Sequence, residues 1–234
     1  MQDREALTRL RALVVRRDGA ALVAALDVGP WPGDSLQLIC DGLLAAIRDR
    51  VDRSAELGAQ CVAALMERRW DGDQELVDAL KAAMGTGPTP LLRPLLVDLE
   101  ELAMILEGDP DQGGGRIDLT TGEVWPRASL DYAEETGDLD EADDPDRWLW
   151  VESDGSRDGY RDMVWFIEDV EDPGIADQLS IAITGRGAFR RFKDTLERWP
   201  ELMTRWHAFS ADRQRGRARR WLADRGYTPT LSQP

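Results

Sequence analysis

The chain is poor in the residues that most catalysis depends on. Its 234 residues include one histidine, His207, and two cysteines, Cys40 and Cys61. It has no Gly-x-Ser-x-Gly turn, no His-Glu metal helix and no Cys-x-x-Cys pair. Those absences remove acyl transfer from an elbow serine, zinc-helix hydrolysis and dithiol exchange as readings. Both cysteines sit in apolar stretches of helical spacing and read as small buried thiols of a reducing compartment; a disulfide needs those two helices to be neighbours. Long apolar runs are also missing. Segments such as 20–26 are far too short to span a bilayer, and the first residues, MQDRE, form no apolar leader. A cytoplasmic location with no membrane contact is expected.

What the chain has in quantity is acid, unevenly placed. The net charge is −16. Eighteen Asp and Glu lie within 131–177 against three arginines, and that window carries −15. Residues 186–225 reverse the sign, with twelve Arg and Lys against five acids. Acid and base blocks of this kind pair with each other, hold cations or meet a charged partner, and the total charge argues against general affinity for nucleic acid. Hydrophobic residues make up 42%, enough for a real core. Seven of the nine tryptophans follow Gly122.

Residues 3–107 read as helix throughout. Leu10, Leu13 and Val14 recur at helical spacing, as do Leu36, Ile39, Leu43, Leu44 and Ile47 after the Gly/Pro break at 29–33. Asp34 or Ser35 is placed to cap one helix and Ser54 the next, and a last helix is expected over 91–106. The Gly/Asp stretch at 108–115 reads as a boundary. Beyond it the period changes: 116–119, a Thr-Thr-Gly turn and 123–125 form a tight β-hairpin, with Gly122 supplying positive φ. Residues 147–151, RWLWV, are apolar on both faces and read as a central third strand, joined to the hairpin by the charged stretch 131–146. Helices follow, with Pro173-Gly174 as a stop and Pro200 at the first position of the last one.

The second half resembles the bacterial UPF0158 family of uncharacterised proteins. The resemblance rests on IDLTTGEVWP at 117–126, GYRDMVWFI at 159–167, GRGAFRRFKDTL at 185–196, and then WPEL at 199–202, Trp206 and Trp221-Leu222. It covers roughly 113–226 and implies a fold without implying a mechanism. The expected architecture is α+β: an α-helical domain over 1–107, a UPF0158-like domain over 113–226 in which a small antiparallel sheet of about three strands packs with C-terminal helices, and a tail over 227–234.

Candidate sites are few. Asp154, Ser156, Asp158 and Asp162 occupy positions 1, 3, 5 and 9 of a calcium-type loop, with Gly159 at position 6 where such a loop turns sharply. Position 12, which calls for a bidentate Glu, is Trp165. The competing reading is a capped helix start, and it is preferred. Asp109, Asp111 and Gly114 make a weaker version of the same pattern. The acidic block as a whole reads first as a solvated loop, with loose calcium binding or phosphate mimicry as alternatives. Arg186, Arg190, Arg191 and Lys193, beside a Gly-Arg-Gly turn, can hold an anion or partner, or pair with the acidic block. The arginines at 213–225 form a second basic helix whose functional reading is nucleic-acid contact, opposed by the overall charge. His207 stands alone. No catalytic residue is identified. A non-catalytic binding or regulatory module with an unknown protein partner is expected first, a calcium-binding protein second, and a metal-dependent phosphoester hydrolase third. No cofactor other than calcium is implied.

Overall fold

Residues 2–28, 31, 33–136 and 144–230 are described by the computed structural model. They fold into two compact units, each built from two stretches: Met1–Pro90 with Tyr160–Gly216, and Leu91–Gly159 with Arg217–Pro234. The segment 108–115 therefore lies inside the second unit.

The first unit opens with α1 (Gln2–Val15), α2 (Gly19–Asp27), α3 (Leu36–Arg48), α4 (Ser54–Arg68) and α5 (Asp73–Ala83). Asp18 caps α2 by accepting from Ala21 N at 3.0 Å. Helix α3 is buried on nearly every side and packs against all four of the others. Ser54 does not cap α4 as expected. Its hydroxyl donates to Val51 O at 2.6 Å, and Arg53 holds the cap position without a side-chain bond. Ser35 holds the cap position of α3, but its hydroxyl is buried without a hydrogen-bond partner.

The second unit begins with a correction. In place of a helix over 91–106 there is a short strand, β1 (Arg93–Leu95), and then α6 (Leu99–Leu106). Pro94 has no N–H to give a helix, while Asp98 accepts from Glu100 N at 2.7 Å and starts α6 there. The hairpin forms as expected from β2 (Gly115–Asp118) and β3 (Val124–Pro126). Gly122, at φ +81°, turns with its α-carbon so close to Leu96 O that a β-carbon would overlap it. Then comes α7 (Arg127–Thr136), a helix where a charged loop was expected; the rest of that stretch, 137–143, lies outside the described residues. Next is β4 (Trp148–Val151), antiparallel to β2.

The sheet order is β3-β2-β4, so β2 is central and β4 flanks it, the reverse of the expectation for 147–151. The reason lies in the two faces. Leu149 and Val151 join the core with Ile117, Leu102 and Leu106, whereas the indoles of Trp148 and Trp150 meet arginines on the opposite face. Apolar character on both faces here marks cation stacking, not a second strand neighbour.

The chain returns to the first unit through α8 (Arg157–Glu168), which is followed by α9 (Pro173–Ala182), α10 (Ala188–Leu196) and the long α11 (Pro200–Ala223). Pro173, expected as a stop, instead opens α9 at the position where its missing N–H costs nothing, with Asp172 as cap. Phe166, Phe192, Trp206 and Phe209 form an aromatic cluster with edge-to-face contacts, among them Phe192 to Trp206 at 4.8 Å between ring centres. Finally β5 (Tyr227–Pro229), in what read as a tail, pairs in parallel with β1 in the second unit.

Candidate functional site

The second unit carries a polar cleft of about 630 Å³ whose wall is built from the start of β2 and the end of β4. Arg116 sits on the central strand opposite Trp125 on one side and Trp150 on the other. Strand alternation therefore puts the three on one face. The guanidinium carbon of Arg116 lies 3.7 Å from the centre of the Trp150 ring. Arg116 is only 4% exposed, while Trp150 keeps 55% of its surface in solvent. A cation stacked this way contributes about 0.5–2 kcal/mol, more as it is desolvated.

The rest of the wall is held by the backbone. Arg127 N, the first of α7, donates to Gly114 O at 2.9 Å. Ser153 Oγ donates to Ile105 O at 2.5 Å and Asp154 N to Leu106 O at 2.8 Å, so the exit from β4 closes the end of α6. Among the described residues, the charged side chains that line this cleft are those of Arg116, Arg127 and Glu152. The adjoining turn is anchored by Asp118, which accepts from Thr120 N at 2.8 Å and from Arg147 Nε at 3.2 Å. Burial works to raise the Asp118 pKa, but the Thr120 and Arg147 hydrogen bonds outweigh it and hold it below the usual carboxylate range.

The first unit contains a second feature that sequence reasoning missed, a buried network of opposite charges. Arg68 donates to Asp73 at 2.7 Å and to Asp212 at 2.6 Å. Gln37 donates its backbone N–H to Asp212 at 2.8 Å and its side-chain amide to Asp73 at 3.0 Å. Arg215 meets Asp41 at 2.8 Å, and Arg213 meets Asp162 at 2.9 Å. Burial pushes the Asp212 pKa up to about 6, against the pull of Arg68 and the Gln37 N–H. Burial would lower the Arg68 pKa, yet its hydrogen bond to Asp73 and the field of Asp212 raise it. Gly216 brings α11 so near the turn before α5 that a β-carbon there would overlap Asp71 O. The arginines expected as an exposed basic helix are in part interior: Arg213, Arg215 and Arg219 are all buried. The available signal was the run Arg213, Arg215, Arg217, Arg219 and Arg220, whose spacing puts arginine on every side of that part of α11, so that some of them must turn inward and be paired.

The proposed calcium ligands fall in two units. Asp154, Ser156 and Asp158 belong to the second and Asp162 to the first. Asp154 and Ser156 are exposed, while Asp162 is buried and accepts from Arg213. Among the described residues, no group of three or more His, Cys, Asp and Glu gathers in a way that would hold a metal ion. Of the candidate anion-binding residues, Arg191 donates to the carbonyls of Ala182, Thr184, Gly185 and Arg186 and so closes the C-terminal end of α9. Arg190 pairs on the surface with Asp194 at 3.7 Å. Arg186 and Lys193 are exposed. The acidic-block pairing read for these cations is seen at neither Arg190 nor Arg191. Cys40 and Cys61 are both buried and free, and their helices are neighbours. A further cleft of about 750 Å³ in the first unit lies between α9 and the start of α11, and Arg205 in its wall is tied to Asp34 and Asp169.

Residues 92–234 match the model of an uncharacterised protein family, UPF0158. The UPF0158 protein PA5073 of Pseudomonas aeruginosa is 29% identical over 147 residues, covering 61% of this chain and 91% of the relative. No solved structure matches the chain. Among the described residues, no helix is long and apolar enough to cross a membrane.

Proposed function

The chain belongs to the uncharacterised UPF0158 family, and we propose that it is a non-catalytic binding or regulatory protein of the bacterial cytoplasm, with the cleft beside β2 and β4 as its binding site. The observation that carries this reading is Arg116, a cation held almost out of solvent in a cleft wall and stacked on a half-exposed tryptophan. Its volume falls within the roughly 300–1,000 Å³ usual for small-ligand sites. Binding is favoured over turnover by the lining. The Ser153 hydroxyl spends its proton on Ile105 O, and among the described residues Glu152 has no second carboxylate beside it in the lining to share acid–base work. Two free, buried cysteines support a reducing compartment.

The calcium reading of Asp154, Ser156, Asp158 and Asp162 keeps its sequence spacing as support, and the phosphoester hydrolase reading keeps only the abundance of carboxylates. An unknown protein partner for the exposed acids stays compatible with the cleft. The test is a thermal-shift and Trp-fluorescence screen of a chemically diverse small-molecule set on the wild type and Trp150→Phe. A saturable shift whose fluorescence signal is lost in Trp150→Phe supports the site. Hits that behave identically in both proteins would move binding elsewhere.

A further inference from the structure

We infer that the cleft between α9 and the start of α11 is a second binding site, and that its ligand is a small organic ammonium ion with an apolar body. The site stands independently of the cleft beside β2 and β4, because every residue of its lining belongs to the first unit. Its volume of about 750 Å³ suits a small molecule. Val170, Ile175, Trp199 and Leu202 supply apolar wall for the body of such a ligand.

Trp199 points to the charged end. Five of the nine tryptophans, Trp70, Trp148, Trp150, Trp165 and Trp221, carry an arginine 3.7–4.8 Å from the ring centre. Trp125 and Trp206 meet other aromatic rings, and Trp31 donates its N–H to Leu26 O. Trp199 is half-buried and, among the described residues, has no ring, cation or hydrogen bond on its indole. The negative face of an indole attracts a cation. At the other five rings the chain supplies that cation itself, and here the place is left open.

The two arginines nearest to it are turned to other groups. Arg205 pairs with Asp34 and Asp169, and Arg198 donates to Gln178 Oε1 at 3.2 Å. The carboxylates are differently placed. Asp172 is spent on the start of α9, where it accepts from Gly174 N at 2.8 Å and Ile175 N at 3.1 Å. Glu171 and Glu201 are exposed in the lining and have no hydrogen-bond or ion-pair partner among the described residues. Counted together with the two acids that hold Arg205, five carboxylates stand against two guanidiniums around this cleft. A cation is drawn in and an anion repelled, as expected in a chain of −16.

The experiment titrates the full-length protein with 2-phenylethylammonium, neutral 2-phenylethanol, anionic 3-phenylpropionate, methylammonium and a short lysine- and leucine-rich peptide. Binding is read by calorimetry and by tryptophan fluorescence. 2-Phenylethylammonium is expected to bind at least about threefold more tightly than the alcohol or methylammonium, the scale of one cation over an exposed indole. Glu171→Gln and Glu201→Gln, both at exposed positions, should keep the wild-type melting temperature. Each should weaken the amine about two- to fivefold, as for one exposed ion pair, and leave the alcohol unchanged. Trp199→Leu should abolish the fluorescence response and the preference for the amine, and Trp199→Phe should restore part of that preference. Amine binding that is indifferent to Glu171→Gln, Glu201→Gln and Trp199→Leu overturns the site. Tighter binding of 3-phenylpropionate overturns the cation class and would mean that Arg198 governs the cleft. Binding of the peptide alone overturns the small-molecule class, and silence from all five overturns the inference.

Discussion

Replacing Asp212 with Asn should change how stability depends on pH, and the direction follows from where the carboxylate sits. Asp212 is 2% exposed, receives Arg68 at 2.6 Å and the Gln37 N–H at 2.8 Å, and has its pKa pushed by burial to about 6, with the nearby Asp73 adding in the same direction. In the unfolded chain an aspartate titrates near 3.9. Between those values the folded state binds the proton more tightly, so the contribution is present in full below about pH 4 and is lost as pH rises through about 6. About two pKa units at 1.36 kcal/mol each give about 3 kcal/mol as the full swing. Asparagine has no such proton. The stability of the wild type minus that of Asp212→Asn should therefore fall by up to about 3 kcal/mol between about pH 4 and pH 7. Asn at this position can still accept from the Gln37 N–H, so the substitution also adds an offset, but that offset does not vary with pH. Urea unfolding at four pH values, followed by tryptophan fluorescence, measures the difference directly. A difference that stays flat, or that grows with pH, would mean that Arg68 and Gln37 outweigh burial and that Asp212 is ionised throughout.

Four further outcomes are expected. Arg191→Ala leaves the Ala182 carbonyl at the end of α9 and the Thr184 carbonyl in the turn after it without their charged donor and should cost about 1–2 kcal/mol in chemical denaturation. Asp118→Asn weakens the Thr120 and Arg147 bonds of the hairpin and should cost about 1–3 kcal/mol; because the Asp118 pKa is depressed, its contribution is present above about pH 4 and lost as pH falls below it, so the gap between mutant and wild type should close in acid. Burial raises the Cys40 pKa, helped by the neighbouring Cys61, so a thiol reagent should label neither cysteine in the native protein and both after unfolding; rapid native labelling would contradict the burial. Millimolar calcium should leave the melting temperature unchanged, since Asp162 already faces Arg213; a rise abolished by Asp154→Asn with Asp158→Asn would restore the metal reading.

The α+β class, the three-strand antiparallel sheet and the family were legible because each has a local signature. The Thr-Thr-Gly turn fixes the hairpin, and the 3.6-residue stripes fix most helices. The errors share a different cause. The strand β1 is made by pairing with β5, more than a hundred residues later, and a three-residue strand has no periodicity to read. The place of β4 at the flank of the sheet was hidden because a tryptophan stacked on arginine looks, in sequence, like a tryptophan in a core. Arg116 looked like an ordinary polar alternation of a strand, and only its cross-strand neighbours mark it. The same limit hid the ion network: Arg213 and Arg215 read as surface charge because Asp162 and Asp41 lie far away in sequence. By contrast, the readings at Asp154 to Asp162 and at Arg186 to Lys193 were drawn from spacing alone, and spacing says nothing of what already occupies each side chain.

The ion network also bears on how this chain can drift over generations. The family match begins at residue 92. Gln37, Asp41, Arg68, Asp71 and Asp73 precede it, and Asp212, Arg213 and Arg215 lie within it. Arg68 with Asp212, Gln37 with Asp212 and Arg215 with Asp41 each couple a position inside the family match to one in the helices that precede it. Losing either member alone strands a buried charge, a change of several kcal/mol at once, so the two sides can be altered only together. Among chains that match this family, an aspartate at the place of Asp212 and an arginine at the place of Arg215 should occur together with preceding helices that supply their partners, and a survey of which chains carry both tests that coupling.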